Sequence, residues 1–557
     1  MVKERHSKRG RRGSVILFLT LALPFFVGLV GLGIDATMCY IVQTELSAAV
    51  DGAALGTGRL LSTNANPNDI ASEFLNANFR IGTAGFWGSY NLTPTVTVTT
   101  GITKTVTVNA VVNVPLLFMR LLHQNAATVS AAATVTRRDA RIEFVIDRSG
   151  SMNFSDGAGS TVIADVIAKA QAFTEQFTSC PTTSCTTPLN YDELGLVVFS
   201  GSAVVGYPTT PWPSPLATNG GGGPDIYFYN GATTDMVHQL GNVTAGDGTA
   251  MGDGLALAYI ELQKAHVRDM AANGGVDSRM NAIVLFTDGV PSSVVTYINQ
   301  TGDPNAVLSS GSNCTYRTDS AGTHPILGYV VISGSPPYST STKPLGFYQL
   351  ASLYSSESSA SWMGDPTNDM SISASDSTTD IVPSSGLSGC TKSSWTNMTN
   401  LSYLPSFDKY GHATTPLTTA GVPGYDFSSI AGDSNATKIN TSGAWDVTKP
   451  SEAYQWGLAG WDEVDQVAND IRNDSNHTAR GESSPIGITI YTIGYTGNGG
   501  TDNGLLTKIA NIAGCSVNGY SCANSSQKQG LYAQADNASE ISSAFNTILT
   551  AILRLAH

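Results

Sequence analysis

The sequence predicts an α/β protein. Its largest part is expected to be a doubly wound, mostly parallel sheet with a long loop-rich insertion, preceded by an N-terminal transmembrane helix and a small β stalk. Three observations predict this fold: an uncharged apolar segment lies near the N-terminus, β-branched residues alternate after it, and short apolar runs then alternate with helical patterns. At 557 residues the chain is long enough for two or three domains with a large buried core.

Composition and charge narrow the class of protein. Charged residues make up 13% of the chain, roughly half the usual quarter. The formal net charge of -14 argues against nucleic acid as a partner, because a nucleic-acid binder needs a basic face. The polar balance comes from Ser, Thr, Asn and 57 Gly. This composition suits an extracytoplasmic surface with long loops.

The N-terminal residues predict a membrane anchor. Six Lys and Arg residues crowd the first dozen positions, so residues 1–14 are expected to be a basic cytoplasmic tail. The segment 15–34 carries no charge and is long enough to cross a bilayer as a helix. The flanking charge places the N-terminus in the cytoplasm and the remainder of the chain outside it. A cleaved signal peptide is the alternative, but the apolar run is longer than in such peptides and no cleavage site follows promptly.

Residues 35–62 predict an Ala-rich helical stem that continues the membrane helix. One face of the stem is expected to hold five apolar side chains, those of Ile41, Leu46, Val50, Ala53 and Ala54. Asp35, where the helix leaves the bilayer, is expected to be solvated at the membrane surface, with a partner inside the membrane as the alternative.

This stretch resembles the N-terminal segment of the TadE/TadG-like family, assembly proteins of tight-adherence (Flp) pili. The resemblance rests on Gly33-Ile34-Asp35, on Tyr40, and on the run from Leu46 to Leu55. Within that run Gly52 stands where the family usually has Ala, which softens the helix by about 1 kcal/mol. The resemblance implies a single-pass protein of the bacterial cytoplasmic (inner) membrane, with most of the chain periplasmic or extracellular.

Residues 63–138 predict a β-rich stalk. Thr95 to Val98 and Thr105 to Val108 alternate β-branched residues, and Gly101 between them indicates a turn. A similar strand-rich stretch follows the stem in the TadE/TadG-like family, including a segment matched here by Val114 to Phe118.

The predicted head, residues 139–557, alternates strands and helices. Four apolar runs read as buried parallel strands: 142–146, 194–199, 282–286 and 488–493. Between these runs, and again at the C-terminus, apolar residues recur at the spacing of an amphipathic helix. Two stretches break this rhythm: residues 201–231 predict a surface loop, and residues from about 292 to 450 predict a partly ordered insertion.

Cysteine usage predicts disulfides, as expected for an exported protein. The proximity pairing is one of 15 connectivities that six cysteines allow. It joins Cys180 to Cys185, Cys314 to Cys390, and Cys515 to Cys522. A zinc site is the alternative, but no His accompanies these cysteines at ligand spacing.

The strand at 142–146 ends in the pattern Asp147-x-Ser149-x-Ser151. One carboxylate and two hydroxyls spaced by two residues can point the same way from one turn. Mg²⁺ prefers oxygen ligands of this kind at about 2.1 Å and keeps some of its waters. The carboxyl end of a strand is also the edge where open α/β sheets bind ligands. The pattern therefore predicts a divalent-cation site.

Two further elements make the head resemble von Willebrand factor type A domains, which have a Rossmann-like fold and a metal-ion-dependent adhesion site. Thr249 lies in a Gly-rich loop before a helical pattern, and Asp288 follows a later strand. The resemblance implies that Asp147, Ser149 and Ser151 bind the metal. It also implies that Thr249 contacts the metal directly or through water and that Asp288 acts mainly through water.

The resemblances together imply a function in binding and not in catalysis. Mg²⁺ is the expected cation, with Ca²⁺ or Mn²⁺ as alternatives, and a partner protein would offer a carboxylate to it. The implied role is assembly or anchoring of an adhesive pilus. The alternative is a cell-surface adhesin for host, matrix or neighbouring-cell ligands, unconnected with pili. No nucleophile–base pairing or phosphate-binding loop is readable, so we do not expect an enzyme.

Overall fold

The computed structural model divides the chain into two compact units, one of Met1–Arg138 with Leu555–His557, the other of Asp139–Arg554. Most of the basic tail and most of the predicted insertion lie outside the described residues. The residues described are 12–60, 66–79, 93–99, 103–157, 159–177, 179–180, 191–208, 224–225, 228, 235–246, 248–272, 275, 277, 279–298, 326–332, 344–349, 408–410, 412, 453–475, 477–478, 481–497, 500–514, 516–517, 520–521 and 523–553.

The first unit begins with one continuous helix, α1 (Arg12–Leu60), of 49 residues. Among the described residues it is the one helix long and apolar enough to cross a membrane, judged by length and composition over Phe18–Gly58. Pro24 lies within it without ending it. A single N-terminal apolar helix is the architecture expected of a single-pass anchor.

The C-terminal half of α1 packs against the rest of this unit through a narrow apolar face. Its buried residues are Val42, Leu46, Ala49, Val50, Ala53 and Ala54. Ile41 is exposed, so its predicted place on this face was wrong. Helical periodicity explains the difference, because a residue four positions before Leu46 lies on the same face whereas a residue five positions before it does not.

The remainder of the unit contains a helix as well as the expected strands. Helix α2 (Pro67–Asn78) begins at Asn66, whose side chain accepts a hydrogen bond from the Asn68 amide. Strands β1 (Thr93–Thr99), β2 (Thr103–Pro115) and β3 (Ala126–Arg138) pair antiparallel in that order. Alternate residues of β2, from Val106 to Val114, are buried. The β-rich stalk predicted for this stretch therefore has one helix in addition to its sheet.

Asp35 differs most from its expected environment. It is only 3% exposed, although the sequence predicts a solvated residue at the membrane surface. Its carboxylate faces the turn between β2 and β3 and accepts hydrogen bonds from that turn. A turn 82 residues away in sequence cannot be seen from the local pattern around Asp35.

The second unit is an α/β assembly with a mixed sheet. Its strands are β4 (Ala140–Asp147), β5 (Glu193–Phe199), β6 (Ala203–Tyr207), β7 (Met280–Thr287), β8 (Ser293–Ile298), β9 (Ile326–Ile332), β10 (Pro344–Gln349), β11 (Thr489–Tyr495), β12 (Ser516–Val517), β13 (Tyr520–Ser521) and β14 (Tyr532–Ala535). Its helices are α3 (Val162–Thr174), α4 (Met236–Gly241), α5 (Met251–Ala272), α6 (Ala453–Asn473), α7 (Asn503–Ile509) and α8 (Ala538–Ile552).

The main sheet has six strands in the order β14-β11-β7-β4-β5-β6. All neighbours are parallel except β5 and β6. Helices α3, α4 and α8 pack on one face and α5, α6 and α7 on the other. Strand β4 lies between β7 and β5 and is buried along its whole length. This burial on both faces explains its nearly continuous apolar sequence.

The two irregular stretches contain more regular structure than their composition indicates. Strand β6 lies inside residues 201–231, where the sequence predicts only a surface loop. The strand was missed because it has only five residues and is followed by a sequence rich in Gly and Pro. At the start of the predicted insertion, β8, β9 and β10 form a separate antiparallel sheet.

Of the six cysteines in the predicted pairs, only Cys180 is described, and it is buried. The pairing stays a prediction.

Candidate metal centre

Asp147 is the last residue of the central strand β4, and its side chain is fully buried. Its Oδ1 accepts a hydrogen bond of 2.7 Å from the Ser149 amide. Its Oδ2 accepts one of 2.5 Å from Thr287 Oγ1, at the end of the neighbouring strand β7. The carboxylate is therefore held at the carboxyl edge of the sheet by the segment that follows β4 and by the last residue of β7.

The two serines and the second aspartate form a chain of hydrogen bonds. A short 3₁₀ helix, Gly150–Asn153, follows β4 and carries Ser151. Ser149 Oγ lies 3.0 Å from Ser151 Oγ, and Ser151 Oγ donates to Asp288 Oδ1 over 2.7 Å. Because β4 and β7 are parallel neighbours, the residues that follow them meet at one edge.

Thr249 reaches the same place from the loop before α5. Its amide donates to Ser292 Oγ over 2.9 Å, and its carbonyl accepts from the Ser292 amide over 2.9 Å. A Cβ added to Gly289 would lie 3.7 Å from Thr249 Oγ1 and 3.8 Å from Ser151 Oγ. Both hydroxyls therefore face Gly289, and the structure brings all five predicted ligand residues to one edge of the sheet.

The electrostatics of this cluster are unfavourable for two charged carboxylates. Burial, and next the charge of Asp288, raise the pKa of Asp147 to about 7, while hydrogen bonds from Thr287 and Ser149 act to lower it. A cation placed between the carboxylates would offset both their repulsion and their desolvation.

The donor set fits a hard divalent cation. The five side chains present only oxygen atoms, two carboxylates and three hydroxyls, which Mg²⁺ prefers over nitrogen and sulfur. Among the residues that the structure describes, no group of three or more His, Cys, Asp and Glu side chains has a metal-binding arrangement. A site at β4 would therefore depend on its hydroxyls as much as on its carboxylates.

Two residues that support the cluster were missed at the level of sequence. Thr287 holds Asp147 Oδ2, and Ser292 positions the backbone of Thr249. The signal for Thr287 was present, since it lies between the end of a predicted strand and Asp288. Ser292 contacts a residue 43 positions away, so local pattern offered no signal for it.

The sequence predicts Asp253 to be the solvated start of a helix, and the structure differs from this prediction. It is buried and accepts from the Ala203 amide over 2.7 Å and from Lys409 Nζ over 3.1 Å. The Tyr410 hydroxyl donates to it as well. Asp253 thus joins α5 to β6 and to a segment of the predicted insertion.

Comparison with known proteins identifies the N-terminal segment. Residues 13–59 match a family model described as "Putative Flp pilus-assembly TadE/G-like". The chain thus carries a Tad pilus-assembly-like segment that coincides with helix α1, and the resemblance stated for this stretch is confirmed. No curated protein matches the chain.

Several solved structures share limited similarity with the chain. PilB minor pilin from Streptococcus sanguinis is 13% identical, with 85% of this chain and 80% of that one covered and a TM-score of 0.32. SpaC pilus adhesin from Lactobacillus rhamnosus GG is 13% identical, with 83% and 34% covered and a TM-score of 0.30. Proximal thread matrix protein 1 from the mussel byssus, with a zinc-occupied MIDAS motif, is 18% identical, with 28% and 29% covered and a TM-score of 0.17. These TM-scores are too low to establish a shared fold.

Proposed function

We propose that this chain is an inner-membrane-anchored envelope protein, similar to TadG, that assembles or anchors Flp/Tad-type adhesive pili. Its second unit would be a von Willebrand type A head that holds a protein partner through a metal-ion-dependent adhesion site. Two observations from different parts of the chain support this. The match over residues 13–59 supports the pilus context. The convergence of Asp147, Ser149, Ser151, Thr249 and Asp288 at one edge of the sheet carries the adhesion site.

The five residues would differ in how they coordinate the cation. Asp147, Ser149 and Ser151 would bind Mg²⁺ directly. Thr249 would bind directly or through water, and Asp288 mainly through water. With few carboxylates bound directly, the cation keeps much of its charge, so a carboxylate from a partner protein is attracted to a remaining coordination position. The chain would then be a binding protein and not an enzyme.

Metal binding is tested on the full chain in detergent micelles. We expect Mg²⁺ to raise the melting temperature and EDTA to reverse the rise, because a ligand bound only by the folded state stabilises it. Asp147→Asn and Ser151→Ala are expected to abolish the response. Ser155→Ala is the matched control, since this exposed serine lies on the same loop and outside the cluster. Equal melts with and without Mg²⁺ for the unaltered chain would contradict the site.

The role in pili is tested in cells of the source bacterium. Cells carrying Asp147→Asn are expected to lose surface pili in electron micrographs, while cells carrying Ser155→Ala keep them. If Asp147→Asn cells keep normal pili but lose adhesion to surfaces, the alternative of an adhesin unconnected with pili would replace the pilus role. Normal pili together with normal adhesion would contradict both.

A further inference from the structure

The turn between β2 and β3 is held by a carboxylate from the apolar helix. Asp35 Oδ1 accepts a hydrogen bond from the Leu117 amide over 2.9 Å. Its Oδ2 accepts from the Phe118 amide over 3.0 Å and from the Met119 amide over 2.8 Å. Three successive backbone N–H groups, at the start of the 3₁₀ helix Met119–Leu122, are thereby satisfied by one buried side chain.

One turn of helix below Asp35, the same segment contacts α1 directly. A Cβ added to Gly31 would clash with the Phe118 ring, so this ring rests on helix backbone that only glycine leaves open. Gly31 lies inside the uncharged segment 15–34, three positions before its end. At 1.5 Å per residue, this places the contact about 5 Å inside the apolar part of the helix.

A non-helical turn at this depth faces a specific physical demand. Lipid offers no hydrogen bonds, so backbone N–H groups near the hydrocarbon need partners within the protein. Asp35 provides such partners for three consecutive residues of the turn. The turn is also apolar: Leu116, Leu117, Phe118 and Met119 are consecutive, and Leu117 is 46% exposed. Arg120, which follows, is exposed and suits lipid phosphates at the membrane surface.

We propose that the turn Leu116–Met119 is a second membrane contact, inserted beside α1 into the outer boundary between headgroups and acyl chains. Its occupant is lipid, because the turn is continuous with the apolar surface of the helix that would cross the bilayer. Asp35 and Gly31 lock the turn at this depth. The inference rests on the membrane anchor of the proposed function and adds to it a fixed height and rotation of the first unit at the membrane.

Photocrosslinking to lipid tests the insertion. A benzophenone amino acid is placed at Leu117, Val111 or Phe25 of the full chain in phosphatidylethanolamine/phosphatidylglycerol nanodiscs, and lipid adducts are counted by mass spectrometry. Val111 is the matched control, being 45% exposed. Val111 pairs with Ser130, and the Ser130 carbonyl accepts a hydrogen bond from the Gln43 side chain. Gln43 lies eight residues after Asp35 on α1, so Val111 is about 12 Å farther along the helix than the turn.

We expect about fivefold more lipid adducts at Leu117 than at Val111, and strong labelling at Phe25, which is 68% exposed on the apolar helix. Labelling at Phe25 with Leu117 no higher than Val111 would overturn the inserted turn and leave the anchor intact. Absence of labelling at Phe25 would overturn the anchor and the inserted turn together.

A second variant tests the lock. Asp35→Asn keeps the shape of the side chain but removes the charge and one acceptor oxygen. Labelling at Leu117 is expected to fall about threefold while labelling at Phe25 is unchanged, since charge-assisted hydrogen bonds are roughly twice as strong as neutral ones. Unchanged labelling at Leu117 would show that Asp35 does not hold the turn at this depth.

Discussion

Glu143 illustrates, at the scale of one residue, how burial changes the chemistry of a side chain. It lies in the middle of β4 and is fully buried. Within the described part of the chain, neither of its carboxylate oxygens has a hydrogen-bond partner. Burial, and next the charge of Glu261, raise its pKa well above the usual range, while Lys264 acts to lower it. The folded state therefore favours the protonated acid.

The raised pKa of Glu143 predicts that the free energy of unfolding falls as pH rises, and that a neutral residue at this position removes this loss. The unfolded chain loses the Glu143 proton near pH 4.5 while the folded chain retains it. Stability therefore falls as pH rises above that value. Glu143→Gln is expected to raise the free energy of unfolding at pH 8 by about 1–3 kcal/mol. The gain should shrink towards pH 4.

Urea unfolding at the two pH values measures this effect. The exposed Glu175→Gln is the control and should change stability little at either pH. A Glu143→Gln variant that is less stable than the unaltered chain at pH 8 would contradict the assignment.

At the scale of elements, a short segment of the predicted insertion is held to strand β8 by a backbone hydrogen bond and to helix α6 by an ion pair. The Lys409 amide donates to the Val295 carbonyl of β8 over 2.7 Å. His412 Nδ1 lies 2.8 Å from Asp408 Oδ2, and its Nε2 lies 3.0 Å from Asp470 Oδ2 on helix α6. Burial acts to lower the pKa of His412, but Asp408 and then Asp470 raise it to about 10.

His412 is therefore expected to stabilise the fold as a cation. Its folded pKa lies above the unfolded value of 6.5, so its contribution is complete below pH 6.5 and is lost as pH rises through about 10. His412→Gln should lower the free energy of unfolding at pH 6 by about 3 kcal/mol, because it leaves the buried Asp408 carboxylate without its cation.

The difference between His412→Gln and the unaltered chain should narrow between pH 7 and pH 10 in urea titrations. His477→Gln is the matched control, since its Nδ1 contacts the backbone carbonyl of Asp474. A pH-independent difference for His412→Gln would mean that packing, and not charge, is what the histidine contributes.

At the scale of the whole molecule, the chain consists of two compact units that differ in content. The first contains the apolar helix and the Tad-like segment, and the second contains the α/β sheet with the clustered side-chain oxygens that are predicted to bind a cation. This division agrees with the proposed function, in which the first unit is held in a membrane and the second binds a partner.

The expected orientation can be measured on this scale. With a peptide tag at residue 1, protease added to intact spheroplasts should digest the second unit and leave a tagged fragment protected, because the basic residues of the tail keep the N-terminus inside. Replacing those basic residues with Gln should give a mixture of orientations. Loss of the tag with survival of the second unit would reverse the proposed topology.

Much of the fold was predictable because its signals are local. Apolar runs of strand length, separated by helical patterns, predict the layered α/β part. Strand β4 shows the reason: because both of its faces are buried, most of its residues are apolar, and this run is visible in the sequence. Helix α2 and strand β6 were not predicted, because short elements in polar or Gly-rich surroundings leave weak periodicity.

The sequence by itself determined the apolar helix, the character of the main sheet, and the set of oxygen side chains placed after its strands. Only the tertiary structure decided which of these residues meet. Asp35, Asp253 and Ser292 each find partners more than 40 positions away in sequence, so spacing alone predicted solvent around the first two and nothing for the third. The physical reason is that burial and hydrogen bonding depend on long-range packing, whereas sequence patterns report only the neighbours along the chain.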